Sequence, residues 1–366
     1  MTEELKHGAG LCQRFYWQCV RPILEAHFPG LAHAAALIDT GSEVLGFDDA
    51  QSTDHHWGPR ALLFLAEAEH PRLAAAISAT LARELPYEFE GYPTSFTPPD
   101  PADHGVQLLQ AVSQGPVNHR VGCHTLRGFW LEQLNFDLEQ PLAPADWLTF
   151  PQQRLRCLTE GPVFYDGLGL AALRERFAYY PREVWLYLLA AGWTRLEQEE
   201  HLMGRAGQAG DELGSALIGA RLARDVMRLS FLMERRYAPY PKWFGTAFKQ
   251  LAAAARLGPP LWAARQAGAW PQREAALVTA YEMLAEQHNA LGLTAPMPEQ
   301  ARDFFGRPFR VMALHGFAGA LLAEVRDPQV ARIAQRPPIG SLDLWSDNTD
   351  LTAHPVWRPA LRGLFI

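Results

Sequence analysis

Residues 37–65 read LIDTGSEVLGFDDAQSTDHHWGPRALLFL. An apolar run, Ala34 to Ile38, gives way to a small-residue turn at Gly41-Ser42. A polar stretch follows with the carboxylates Glu43, Asp48, Asp49 and Asp54, then the histidine pair His55-His56, then a second apolar run from Ala61 to Leu65. Apolar segment, tight turn, acidic loop and apolar strand is an order that suits a site holding a phosphate together with a metal ion.

The physical reasons are specific. Glycine permits a positive φ and leaves backbone N–H groups open to an anion. A helix starting just beyond the turn would add its free N–H groups and its dipole. The Ser42 hydroxyl can donate one further hydrogen bond. Asp54 offers a hard oxygen to Mg²⁺, which takes one or two protein carboxylates and fills its shell with phosphate and water. The plain alternative is a glycine turn followed by a solvated acidic loop, with Asp48 and Asp49 capping backbone N–H groups and Arg60 pairing with one of them.

Gly41-Ser42, a spacer and Ser52-x-Asp54-x-His56 resemble the glycine-serine and paired-aspartate motif of the polymerase β nucleotidyltransferase superfamily. The longer strings GSEVLGFDD, STDHHWGPR, YYPREVWLYLLAAGW, GDELGS and RYAPYPKWFGTAF together resemble a bacterial family, domain of unknown function 4037. That resemblance runs from about Phe15 to Arg362. It implies metal-dependent transfer of a nucleoside monophosphate, from a nucleoside triphosphate to the hydroxyl of a small-molecule acceptor held between domains. Mg²⁺ or Mn²⁺ would sit on Asp54 and His56, the catalytic pair. Gly41, Ser42 and Arg60 would hold phosphates, with Lys242 beside them and Tyr240 stacking on the base. Glu200 or Asp211 would be the base for the acceptor hydroxyl.

One position departs from the pattern. The superfamily has a second aspartate where this chain has His56, and imidazole is a poor Mg²⁺ ligand. Three readings stay open: a transition metal is used, another carboxylate (Asp48, Asp49 or Glu90) completes the site, or catalysis is lost. In the last case the chain is a catalytically silent nucleotide- or partner-binding protein of the same fold.

Composition sets the frame. A chain of 366 residues with 48% hydrophobic and 20% charged residues suits two globular domains. A net charge of −7 argues against a general nucleic-acid binder. Cys12, Cys19, Cys123 and Cys157 are scattered, without a metal or disulfide spacing. No apolar run nears the ~18 residues of a membrane span, and residues 1–10 lack the apolar core of a signal peptide. The expectation is a soluble cytoplasmic chain, its oligomeric state open.

The pattern predicts an α+β fold. A nucleotidyltransferase-like mixed sheet with helices fills residues 1–146, an antiparallel helical bundle 147–336, and a tail over 337–366 packs back on the core. A buried apolar segment is read at 34–38, strands at 61–65 and 117–126, the last a candidate for the sheet centre, and a strand edge at 87–90. Pro22 is expected to kink or restart the helix over 11–28. A helix is expected over 71–85. Almost everything from Trp147 to 323 reads as helix, in segments that include 150–158, 170–178, 298–303 and 307–323, with Gly192 and Gly258 at helix ends.

Overall fold

The two apolar runs flanking the acidic stretch lie side by side in a mixed sheet. Strand β1 (His33–Ala36) runs antiparallel to β2 (Arg60–Leu65), with Ala36 opposite Leu62 and His33 opposite Leu65. Together with the helices below, this makes the fold α+β. The computed structural model describes residues 8–54 and 56–366; the side chains of Thr53, Asp54 and Ala313 lie outside the description. The described chain forms two compact units, Met1–Pro141 with Arg154–Ala178 (unit 1) and Leu142–Gln153 with Tyr179–Ile366 (unit 2).

In unit 1, helices α1 (Gly8–Phe15), α2 (Arg21–His27) and α3 (His70–Glu84) cover one face of the sheet. Leu11, Phe15, Ile77 and Leu81 are buried there against Ala35, Leu37, Ala61, Leu63 and Leu65. These are alternate residues of β2 and of β1 with its next residue, Leu37, as the period of a strand requires. The helical segment before β1 is interrupted by a π-helical turn, Tyr16–Val20, and restarts at Arg21 with Pro22 in its first turn. Proline has no N–H for the i→i−4 ladder, so the wider turn falls just before it.

Strand β3 (Glu88–Phe89) and β4 (Tyr92–Pro93) make a small separate hairpin. Strand β5 (Arg120–Thr125) pairs with β2 in parallel, and the sheet order β5-β2-β1-β6 puts β5 at an edge rather than the centre. Helix α4 (Leu126–Leu134) then brings Phe129 onto the second face, where its ring packs edge-on against Phe64 at 5.3 Å.

The fourth strand is where the sequence reading differs most. Helix α5 (Pro144–Trp147) belongs to unit 2. Past it, α6 (Gln152–Glu160) leads to β6 (Val163–Asp166), antiparallel to β1, in the gap between the expected helices 150–158 and 170–178, where no strand was expected. Gly161-Pro162 and Gly167 bracket this four-residue strand, and that punctuation was the available signal. Leu37 N–H bonds the Pro162 carbonyl at 2.9 Å, and a Cβ on Gly161 would sit 1.9 Å from the Leu37 carbonyl oxygen. Because β6 completes the sheet, the chain leaves unit 1 at Pro141, returns at Arg154 and leaves again after helix α7 (Leu170–Glu175), where the sequence suggested one boundary at 146/147.

Unit 2 is dominated by helices α8 (Arg182–Gln208), α9 (Glu212–Met233), α10 (Pro241–Phe248), α11 (Ala254–Gln266) and α12 (Trp270–Ala290). Gly192 lies inside α8 rather than at an end. A Cβ there would come within 2.7 Å of Leu229 Cδ1 on α9, so glycine lets the two helices approach. Helix α11 likewise continues through Gly258-Pro259-Pro260. Residues 302–303 and 307–311, expected in two helices, form instead a hairpin of β7 (Arg302–Phe304) and β8 (Arg307–Val311). Its two turn residues, Phe305 and Gly306, both have positive φ (48° and 73°), the requirement of a tight hairpin turn. The tail lies in unit 2, where Leu342 N–H bonds the Leu148 carbonyl.

His288 on α12 supplies a measurable consequence. Its ring is buried beside Trp193 and Phe317. Trp193 Nε1 donates to its Nδ1 at 3.3 Å, which requires that nitrogen to be unprotonated. Burial depresses its pKa to about 4. The unfolded chain binds a proton near pH 6.5 that the folded chain refuses. This group's stabilisation is therefore complete above that pH and is lost as pH falls towards 4, by up to about 3 kcal/mol. His288→Asn, whose side-chain oxygen can replace Nδ1, is expected to flatten that part of a pH series of urea unfolding curves. An unchanged slope would refute the assignment.

Candidate functional site

The loop after β1 is shaped by an ion pair. Arg60 opens β2 and folds its guanidinium back over the turn, with Nε at 2.8 Å and Nη2 at 2.6 Å from Glu43 Oε1. Nη2 also donates to the Thr40 carbonyl at 2.9 Å. Both side chains are buried. Burial, the largest influence, lowers the Arg60 pKa, but Glu43 together with Cys12 and Asp39 outweighs it and the value is raised. Gly41 has φ +148°, and a Cβ there would lie 2.6 Å from Arg60 Nη2 and 2.7 Å from Glu43 Oε2. Glycine is needed here to make room for the Arg60–Glu43 pair. Residues 42–46 form a turn and no helix begins there, so the helix-dipole contribution is missing. Phe47 N–H closes the turn on the Ser42 carbonyl at 2.9 Å, and among the described residues the Ser42 hydroxyl makes no hydrogen bond.

The remaining acids near the turn are occupied. Asp48 accepts from Gly8 N–H at 2.7 Å and from Trp57 Nε1 at 3.2 Å. Asp49 Oδ1 caps Gln51 N–H, Ser52 N–H and the Ser52 hydroxyl, each at 3.0 Å. Asp39, with φ +96°, stands 3.6 Å from Arg154. Glu90 is gripped by Arg14 at 2.8 and 2.9 Å.

A residue that sequence reading missed stands next to this pair. Arg120 opens β5 and is the parallel register partner of Arg60. Its Nη1 donates to His56 Nδ1, and its guanidinium carbon lies 5.7 Å from the Phe96 ring centre. Among the described residues no carboxylate pairs with Arg120. Burial, then the like charge of Arg60, lower its pKa to about 10, which leaves it a cation at neutral pH. The only hint in the sequence was a lone basic residue at the head of the apolar run Val121–Thr125.

Asp54 and His56 do not alternate on a strand. Residues Ala50–Asp54 form a 3-10 turn, His56 has a left-handed backbone (φ 55°), and β2 begins only at Arg60. Asp49 capping the 50–52 turn, together with Gly58-Pro59, keeps this segment from extending. The Asp54 side chain, and His55, lie outside the described residues. His56 N–H bonds the Gln107 carbonyl at 2.9 Å. Since a guanidinium can only donate, His56 Nδ1 must accept from Arg120 and is not available to a metal while that bond is made.

Mg²⁺ or Mn²⁺ would require a cluster of hard oxygens. Among the described residues no three of His, Cys, Asp and Glu stand close enough to hold a metal. At the Gly41 turn the acids are engaged by arginines or N–H groups, and a second guanidinium adds positive charge. Among the described residues, which do not include the Asp54 side chain, that donor set does not fit a divalent cation.

Residues 147–244 match the family model of a domain of unknown function, DUF4037. No curated protein matches the chain. A solved structure, that of a nucleotidyltransferase-like protein from Exiguobacterium sibiricum, covers 84% of this chain and 89% of its own at 14% identity and a TM-score of 0.32, too loose a likeness to carry an argument.

The DUF4037 match spans α8, α9 and the start of α10, and with them four of the expected site residues. Glu200 on α8 is buried, and its Oε2 accepts from Met312 N–H at 2.8 Å. Asp211 is the N-cap of α9, its Oδ1 holding Gly214 N–H at 2.7 Å, so helix capping accounts for that acid. Lys242 is exposed in the first turn of α10 with its Nζ 4.8 Å from the Trp243 ring, and Tyr240 is the residue preceding that helix. Tyr237 is buried between Tyr179 and Tyr180, ring centres 5.1 and 5.2 Å away, and is not open to a base. Arg235 lies over the Tyr179 and Trp185 rings. No described helix is long and apolar enough to cross a membrane.

Proposed function

We propose that this chain is a nucleotide-binding protein of the nucleotidyltransferase-like kind that holds the phosphates of its ligand without transferring them. The motif resemblance supplies the ligand class. One observation carries the choice between binding and transfer. Every described carboxylate at the Gly41 turn is already engaged, whereas Arg120 is a cation that no carboxylate pairs among the described residues. Phosphoryl transfer needs charge neutralisation by metal ions on hard ligands, whereas holding a phosphate needs cations and donors, here Arg120 and the Ser42 hydroxyl.

Titration calorimetry with ATP, GTP, CTP and UTP tests this reading. Heat with at least one of them, and its recovery intact after prolonged incubation with Mg²⁺ or Mn²⁺, is the expected outcome. No heat with any of the four overturns binding. Release of pyrophosphate overturns the silent reading and restores a transferase.

A further inference from the structure

We infer that Arg120, held by His56, is a built-in replacement for the divalent cation, so that unit 1 binds the phosphate of its ligand directly and without metal. The inference rests on the nucleotide-binding reading above and adds the device that performs it.

The geometry of one guanidinium carries the argument. Arginine has five N–H donors in a planar fork. Arg120 commits Nη1 to His56 Nδ1, and no other hydrogen bond of its side chain occurs among the described residues. The edge formed by Nε and Nη2 has no partner among the described residues, and two parallel N–H donors on one edge are what a phosphate accepts in a bidentate pair. Register places Arg120 beside Arg60, and Arg60 touches both Thr40 and the space over Gly41. The Nε–Nη2 edge therefore belongs to the same end of the sheet as the Gly41-Ser42 turn. Phe96 under the guanidinium leaves its rotation further restricted.

His56 is then a positioning residue. Its left-handed backbone aims Nδ1 at Arg120, and asparagine is a residue that keeps both properties: it tolerates positive φ and carries an acceptor oxygen near the place of Nδ1. Glycine keeps the backbone and removes the acceptor.

The test is calorimetry with ATP in excess EDTA and again in excess Mg²⁺. Wild type is expected to bind at least as tightly in EDTA as with metal. Arg120→Lys, which keeps the charge and loses the fork, is expected to weaken binding about tenfold or more. His56→Gly is expected to weaken it while His56→Asn retains it, with melting temperatures of the two variants alike. Wild-type binding that requires Mg²⁺ overturns the inference and leaves nucleotide binding standing. So does an Arg120→Lys affinity equal to wild type, or equal affinities of the Gly and Asn variants. If wild type binds ATP in neither condition while another triphosphate gives heat, that triphosphate takes its place in every arm. If none gives heat, the nucleotide-binding reading itself falls. The metal comparison uses wild type alone, so a misfolded variant leaves the inference testable.

Discussion

Glu43→Ala is expected to destabilise unit 1 by about 3–5 kcal/mol, the usual cost of removing one partner from a buried ion pair. The variant would leave Arg60 with its charge out of water, one carbonyl for company, and Arg120 alongside it in the next strand. Converting both partners to methionine should recover much of that loss, since two apolar side chains of similar volume carry no desolvation penalty. Guanidinium unfolding of wild type, both single variants and the double variant gives the coupling directly. A single-variant loss below about 1 kcal/mol, the range of exposed pairs, would mean that the pair does not shape the loop.

The second large effect is expected at Asp146, a residue that no motif singled out. Its Oδ1 receives both Arg358 and Arg362, the latter at 2.7 Å, and its Oδ2 caps Ala143 N–H at 2.8 Å. Asp146 and Arg358 are buried, and the Arg358 guanidinium also lies 4.5 Å from the Phe150 ring centre. Asp146→Ala removes the buried charge paired with Arg358 and a helix cap with it, for a loss of about 3–5 kcal/mol. The tail from Pro355 onward should become the first site of tryptic cleavage, at Arg362, since Arg358 is followed by Pro359 and resists trypsin. Asp146→Asn keeps an acceptor and should fall between. Limited proteolysis of the three proteins decides it, and equal cleavage rates would remove the tail anchor from the account.

The strands flanking the acidic stretch were legible because their signals are local. A short apolar run bounded by small or polar residues is a strand wherever it packs, and so are the long helical periods of α3, α8, α9 and α12. Strand β6 was not legible as part of the sheet, because its pairing partner lies more than a hundred residues earlier and its four residues sit between helices. The hairpin 302–311 failed for a related reason: Arg and Phe alternate there too briefly to outweigh the helical surroundings.

For the site, the sequence by itself determined which groups crowd the loop: glycine, serine, acids, histidines and Arg60. It also determined that Asp49 would cap a turn, since that bond reaches only two or three residues along the chain. Only the tertiary structure decided the pairing of charges. Glu43 meets Arg60 across 17 residues, and Arg120 meets His56 across 64. Charge neutralisation depends on distance in space, which falls off over a few ångströms, whereas spacing along a chain says nothing of which strand will lie beside which. That is why a stretch that reads as a metal site is, among its described residues, lined by guanidinium groups.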